Sequence, residues 1–202
     1  YRGTEPISEP GRHYADMTCS PDGRWLAAIE EVPQDSGEPQ NRLVAFDLNA
    51  STQVPRVIAE GHDFFSSPRF SPKGDEVAFI AWDHPDMPWD STKLYRLTWG
   101  PSGAQGSARR VPTASRESVL QPLYSPAGLL TFVSDRSGWW NLYQELDSGP
   151  RPLCPRAAEF AQPHWVFGLS NYAFMDAERI LCAYQENAVD HLGVLDTQTG
   201  AL

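Results

Sequence analysis

The residues with chemical capacity lie in a few short segments. Asp83-His84-Pro85-Asp86-Met87-Pro88-Trp89-Asp90 carries three carboxylates and an imidazole, side chains that commonly ligate divalent metals. A single loop stiffened by two prolines rarely supplies a full coordination shell. These groups are therefore expected to be spent on hydrogen bonds inside the loop, with no metal and no other cofactor. His62-Asp63 is a second imidazole–carboxylate pair. Ser134-Asp135-Arg136 offers either an internal ion pair or a contact to another domain, and the internal role is expected. Glu30-Glu31 is expected to be a solvated pair. A Ser/His/Asp set drawn from these segments has neither an activating elbow nor an oxyanion hole. No G-x-S-x-G occurs, and Gly168-Leu169-Ser170-Asn171-Tyr172 lacks the second glycine of that motif. No catalytic residue is assigned.

The elements that position these segments repeat. Ser20-Pro21-Asp22-Gly23 recurs as Ser71-Pro72-Lys73-Gly74 and Ser125-Pro126-Ala127-Gly128, a period of roughly fifty residues, as in repeats built from one four-stranded unit. Phe174-Met175-Asp176-Ala177-Glu178 is a degenerate fourth copy. A short apolar run follows each copy, and a second run ending in a turn follows that, as in Leu43–Leu48, Leu94–Leu97, Leu142–Asp147 and Leu192–Asp196. Short β-rich runs punctuated by Gly, Pro, Asn and Asp are the pattern of strands, not helices. The chain is thus all-β: a partial β-propeller of about four blades, each of four antiparallel strands, the last incomplete for want of its fourth strand. Blade limits fall near 12–60, 61–113, 114–156 and 157–202. In the second repeat, strand a ends at Phe70, b spans about Glu76–Trp82, c about Lys93–Thr98 and d about Ala108–Val111.

Strand alternation sorts the loops onto two faces of the disc. The first face has the Ser-Pro-x-Gly turns and the small polar turns Asn49–Gln53, Gly100–Ser107 and Ser148-Gly149. The second face has 61–65, 82–90, 134–141 and 159–168. Five of the seven tryptophans (Trp82, Trp89, Trp139, Trp140 and Trp165) lie in or beside these four loops, with His62, His84, His164 and His191. Large aromatics in loops need a reason, because loops usually face water. The rings either staple neighbouring blades or form a surface for a partner. Their one-sided distribution favours a covering domain or a substrate chamber.

Composition narrows the function class. A net charge of −10 and a lone Arg109-Arg110 pair exclude a basic nucleic-acid stripe. No apolar run is long enough to cross a membrane as a helix. Three cysteines with no CxxC spacing support neither a disulfide framework nor a zinc site, and point to a reducing cytoplasm. The start at Tyr1 without Met and the unfinished fourth blade are expected marks of an internal fragment. Open blade edges present unpaired backbone groups, so self-association is expected of an isolated piece.

The tryptophan-rich loops resemble those of a known family. Gly61 to Pro68, Trp82 to Asp90, Val133 to Tyr143, Ala158-Glu159-Phe160 and Trp165 to Gly168 are similar to the propeller of bacterial prolyl oligopeptidase-family serine peptidases, in the aminopeptidase or acylaminoacyl-peptidase branch, with TolB-like repeats. The resemblance runs from about Tyr14 to Gly200. It implies a propeller that covers an α/β-hydrolase domain of the parent chain and admits only small peptides, with the Ser-Asp-His triad in that other domain. The face then supplies candidate contacts to substrate or hydrolase: His62, Asp63, Trp82, Asp83, His84, Asp86, Trp89, Asp135, Arg136, Trp139, Trp140 and Trp165. In an exopeptidase, Glu30 and Glu31 would be placed to meet a substrate α-ammonium. The alternative is a stand-alone propeller that binds a protein or small ligand without catalysis.

Overall fold

The computed structural model describes residues 6–52 and 54–202. Tyr1–Glu5, where a leader would be sought, and Gln53 of the first c–d turn lie outside them. Among the described residues there are fifteen strands and no helix, hence no helix long and apolar enough to cross a membrane.

The first sheet holds β1 (His13–Cys19), β2 (Trp25–Val32), β3 (Gln40–Asp47) and β4 (Arg56–Ala59). The second holds β5 (Phe64–Phe70), β6 (Glu76–Trp82), β7 (Lys93–Gly100) and β8 (Gly103–Arg110). The third is β9 (Val119–Tyr124), β10 (Leu130–Ser134), β11 (Asn141–Leu146) and β12 (Gly149–Pro152). The fourth has three strands, β13 (Tyr172–Phe174), β14 (Arg179–Glu186) and β15 (Val189–Asp196). Every sheet is an antiparallel meander in chain order. β1 meets β5 and β5 meets β9, so the first strands of successive sheets line the common axis.

The recurring tetrapeptide explains each a–b turn. Gly23, Gly74 and Gly128 donate backbone N–H to Ser20, Ser71 and Ser125 carbonyls at 2.9, 2.9 and 2.8 Å, with φ of +70°, +69° and +87°. Proline presets the second position, and glycine supplies the left-handed fourth without a Cβ penalty. The serine hydroxyl is buried and accepts the N–H of Trp25 (2.9 Å), Glu76 (3.1 Å) or Leu129 (3.1 Å). The motif fixes where strand b begins.

Burial follows from stacking the sheets face to face. Val77 to Ala81 in β6 is buried throughout, because both its faces meet a neighbouring blade; such strands read as continuous apolar runs. Ile29 and Leu43 pack on Phe65, Phe79 and Leu97 between the first two blades. Ile80 and Leu94 pack on Val119, Phe132 and Tyr143 between the next two. Leu120, Val133 and Leu142 pack on Tyr172, Ile180, Cys182 and Leu195 between the last two. Full burial of one such side chain contributes about 1.5–3 kcal/mol. The edge strand β8 is polar and largely exposed, as suits an outer rim.

Two sequence expectations change. The fourth strand of the second blade runs over Gly103–Arg110, not Ala108–Val111, and the third extends to Gly100. In place of a long loop from Gly100 to Ser107 there is a tight turn at Pro101-Ser102, made possible by Gly103 at φ +100°. Trp25 lies against that glycine, 3.1 Å from where a Cβ would sit, so the turn is also a packing contact between blades. His191 lies within β15, stacked on Tyr184 with centroids 5.0 Å apart, not in a loop.

Candidate functional site

The d–a and b–c loops converge on one face. Between the start of β5, the end of β6 and residues 164–169 lies a cavity of about 430 Å³. Phe64, Trp82, Met87, Trp165 and Phe167 form its walls, and Ser67, Arg69 and His164 give it a polar floor. Phe64 and Trp82 are cross-strand partners and stack at 5.2 Å with a 19° interplanar angle. Trp165 is 74% exposed and Phe167 50%. Neither ring has the blade-to-blade packing that would explain it.

The tryptophans divide between the two roles left open by the sequence. Trp140 staples: it packs on the cluster between the third and fourth blades, its backbone N–H donates to Glu159 Oε2 at 2.8 Å, and its carbonyl accepts Phe160 N–H at 2.7 Å. Trp139 is 42% exposed, and Trp89 is partly buried.

The histidines and carboxylates mostly lock the loops to one another. His62 Nδ1 lies 2.9 Å from both carboxylate oxygens of Asp83, and its Nε2 is 2.8 Å from the Tyr95 hydroxyl. Lys93 pairs with the same carboxylate. Burial raises the Asp83 pKa, but hydrogen bonds from Lys93 and His62 outweigh it and hold the group down at about 2. Asp63 accepts His84 N–H at 2.9 Å and faces its Nδ1 at 3.1 Å. Asp90 accepts Met87 N–H at 3.0 Å, and Asp86 pairs with Arg116 at 3.6 Å. Among the described residues, no three of His, Cys, Asp or Glu are grouped to hold a metal.

The remaining charged groups take partners from other strands and loops. Arg136 does not pair with Asp135. It reaches Glu117 through Nε (2.9 Å) and Nη2 (2.7 Å), and Ser134 Oγ donates to the same Glu117 oxygen at 2.6 Å. Asp135 instead accepts Ser118 N–H at 2.8 Å; burial raises its pKa, opposed by that bond and aided by the nearby Glu117 charge. Glu30 is not solvated. It is 1% exposed, takes Arg42 Nε and Nη2 at 2.9 and 2.6 Å, and accepts the Tyr14 hydroxyl at 2.9 Å. Burial first, then this bond to Glu30, pushes the Tyr14 hydroxyl up to about 12. Glu31 remains half-exposed beside His13 at 2.9 Å.

Two residues here, Arg69 and Asp16, were not singled out from the sequence, whereas His164 was placed on this face. Arg69 follows the bulge at Ser67-Pro68. Asp16, 7% exposed, comes from the first blade and approaches Arg69 Nη1 at 3.4 Å while taking the Ser67 N–H. His164 lines the same cavity; burial lowers its pKa, opposed by Asn171 and by the charge of Asp16. Nothing local marks Asp16, whose partner is 53 residues away.

Fold and loops together define a partial β-propeller with an aromatic cavity on one face. No protein-family model matches the chain, and no curated protein matches it in sequence. Among solved structures, a puromycin hydrolase matches 95% of this chain at 29% identity with a TM-score of 0.85. A puromycin-hydrolyzing peptidase from Mycobacterium tuberculosis matches 95% at 32% identity and 0.84. TolB from Acinetobacter baumannii, at 17% identity and 0.62, shares the fold. The chain matches the N-terminal propeller of a prolyl oligopeptidase-family peptidase, as its loops indicated. It spans 30% and 31% of the length of the two peptidases.

Proposed function

We propose that this chain is the access-controlling propeller of a serine peptidase that hydrolyses aminoacyl or short peptide bonds. An α/β-hydrolase domain of the parent chain supplies the triad and forms the acyl-enzyme. The propeller lays its second face over that domain, so that only small substrates reach the nucleophile. Water exclusion by such a cover also strengthens the electrostatics of the covered site. One observation carries the reading: the match to two puromycin-hydrolysing enzymes is joined to a face on which Trp139, Trp165 and Phe167 stand exposed. Exposed aromatics clustered on one surface mark contact sites. We place this propeller with its partner in the cytoplasm, on the cysteine usage.

The test is the reading frame around these residues. Continuation past Leu202 into a G-x-S-x-G followed by Asp and His is expected. A start codon immediately before Tyr1 and a stop after Leu202 would remove the hydrolase and leave a binding propeller.

A further inference from the structure

Five arginines of this chain share an arrangement that Arg69 lacks. Arg24, Arg42, Arg96, Arg136 and Arg179 each set a carboxylate on the Nε/Nη2 edge of the guanidinium: Asp47, Glu30, Glu76, Glu117 and Asp176 respectively. That edge offers two parallel N–H donors matched to the two oxygens of a carboxylate. Arg69 bonds only through Nη1 among the described residues, to the Pro68 carbonyl at 2.6 Å and to Asp16 at a long 3.4 Å. Its Nε and Nη2 are not among the buried unpartnered atoms, so this edge is open. The side chain is 28% exposed and lines the aromatic cavity.

The cavity around it suits a small ligand. Its volume of about 430 Å³ falls in the range of about 300–1,000 Å³ for small-molecule sites. The walls are aromatic: Phe64, Trp82, Trp165 and Phe167. The floor has a cation with an unused edge, while the nearest carboxylate, Asp16, is 7% exposed and already takes the Ser67 N–H and the Nη1 contact. A free α-ammonium finds no open acid here. A carboxylate finds an open fork.

We propose that this cavity binds the carboxyl-terminal end of a short peptide, with the terminal carboxylate on the Nε/Nη2 edge of Arg69 and an aromatic or large apolar last side chain between Phe64, Trp82, Trp165 and Phe167. The proposal deepens the access-control reading and rests on its placing of substrate at the second face. It gives the propeller a positive role in selection: the end of the peptide that leaves after cleavage is measured here, and a long chain running past Arg69 forfeits the charge pair.

Calorimetric titration of this chain with N-acetyl-glycyl-phenylalanine and with its C-terminal amide tests the idea without any hydrolase domain. The acid is expected to bind at least about tenfold more tightly than the amide, the scale of one charge-assisted pair. Arg69→Gln should bring the acid down to the amide's affinity and leave the amide unchanged. Trp165→Ala, at a position exposed enough to spare the fold, should weaken both ligands alike. Equal binding of acid and amide by the unaltered chain, or no binding of either at millimolar concentration, overturns the proposal, and this comparison needs no variant to fold. Acid-selective binding in a chain whose reading frame encodes no hydrolase would retain the carboxylate site and remove the peptidase role.

Discussion

Truncating the two partners of the Glu117–Arg136 pair should have unequal effects. Glu117 is 1% exposed and Arg136 25%. One Glu117 oxygen takes both Arg136 donors and the Ser134 hydroxyl, and the other takes Ala114 N–H at 2.6 Å. The pair ties the segment before β9 to the loop that carries Trp139 and Trp140. In Arg136→Ala the carboxylate stays buried with neutral donors only, which costs about 3–5 kcal/mol. The guanidinium also lies 5.0 Å from the centroid of the Tyr143 ring, and losing that contact adds about 0.5–1 kcal/mol. In Glu117→Ala the stranded guanidinium is near enough to the surface to turn into water, so the loss is smaller, about 2–3 kcal/mol, mainly the bonds to Ser134 and Ala114. The double variant should lie well short of the sum, with a coupling of about 2 kcal/mol. Urea titration followed by tryptophan fluorescence reads all three, provided the slope with denaturant is unchanged. Additivity within about 0.5 kcal/mol, or a larger loss for Glu117→Ala than for Arg136→Ala, would refute the buried-charge reasoning.

Two further outcomes rest on the same geometry. Tyr172 is buried, and its hydroxyl lies 2.8 Å from the Gln121 carbonyl and 2.9 Å from that of Thr131; Tyr172→Phe strands both on the third blade and should cost about 1–2 kcal/mol in urea unfolding, an effect under 0.5 kcal/mol being incompatible with that link. Asp83, held at about 2 in the fold against 3.8 unperturbed, contributes stability that is complete above about pH 4 and lost as pH falls towards about 2. Because its side chain is 35% exposed, screening reduces the contribution to about 1 kcal/mol. Asp83→Asn should flatten the stability profile over that window, and an unchanged profile counts against the Lys93–Asp83–His62 link.

The blades were legible because their signals are local. Ser-Pro-x-Gly sets a turn within four residues, and an apolar run such as Val77–Ala81 announces a strand covered on both faces. The d strand of the second blade was misplaced for the converse reason. Gly103 to Ser107 is small and polar, and it pairs with β7 because β7 offers a free ladder there, not because of its own propensity. Glu30 looked like a surface acid beside Glu31. Its burial depends on Arg42 and Tyr14, which antiparallel pairing sets beside it across the neighbouring strands.

The cavity was less legible, because its floor is built by a device with no residue signature. Asp16, Ser67 and Gln121 occupy the same place in β1, β5 and β9, three residues before Cys19, Phe70 and Tyr124, and each has a positive φ, of 49°, 55° and 48°. Each sits at a break in the ladder to the next strand. A bulge adds a residue and re-aims the side chains beyond it. The side chains are acid, hydroxyl and amide, so no repeat is visible in the letters although the backbone repeats. Asn171 holds the corresponding place before Phe174, and its N–H donates to Gln121 Oε1 at 2.7 Å. Left-handed backbone at a non-glycine residue costs about 1–3 kcal/mol and persists where surrounding structure enforces it. Here the same turn of the chain at three successive strands brings Asp16 to Ser67 and Gln121 to Asn171 across blades. In the second blade it also delivers Arg69, with its open edge, to the aromatic cavity. The strain is thus tied to polar links along the axis, and Arg69 is where those links leave a donor pair free.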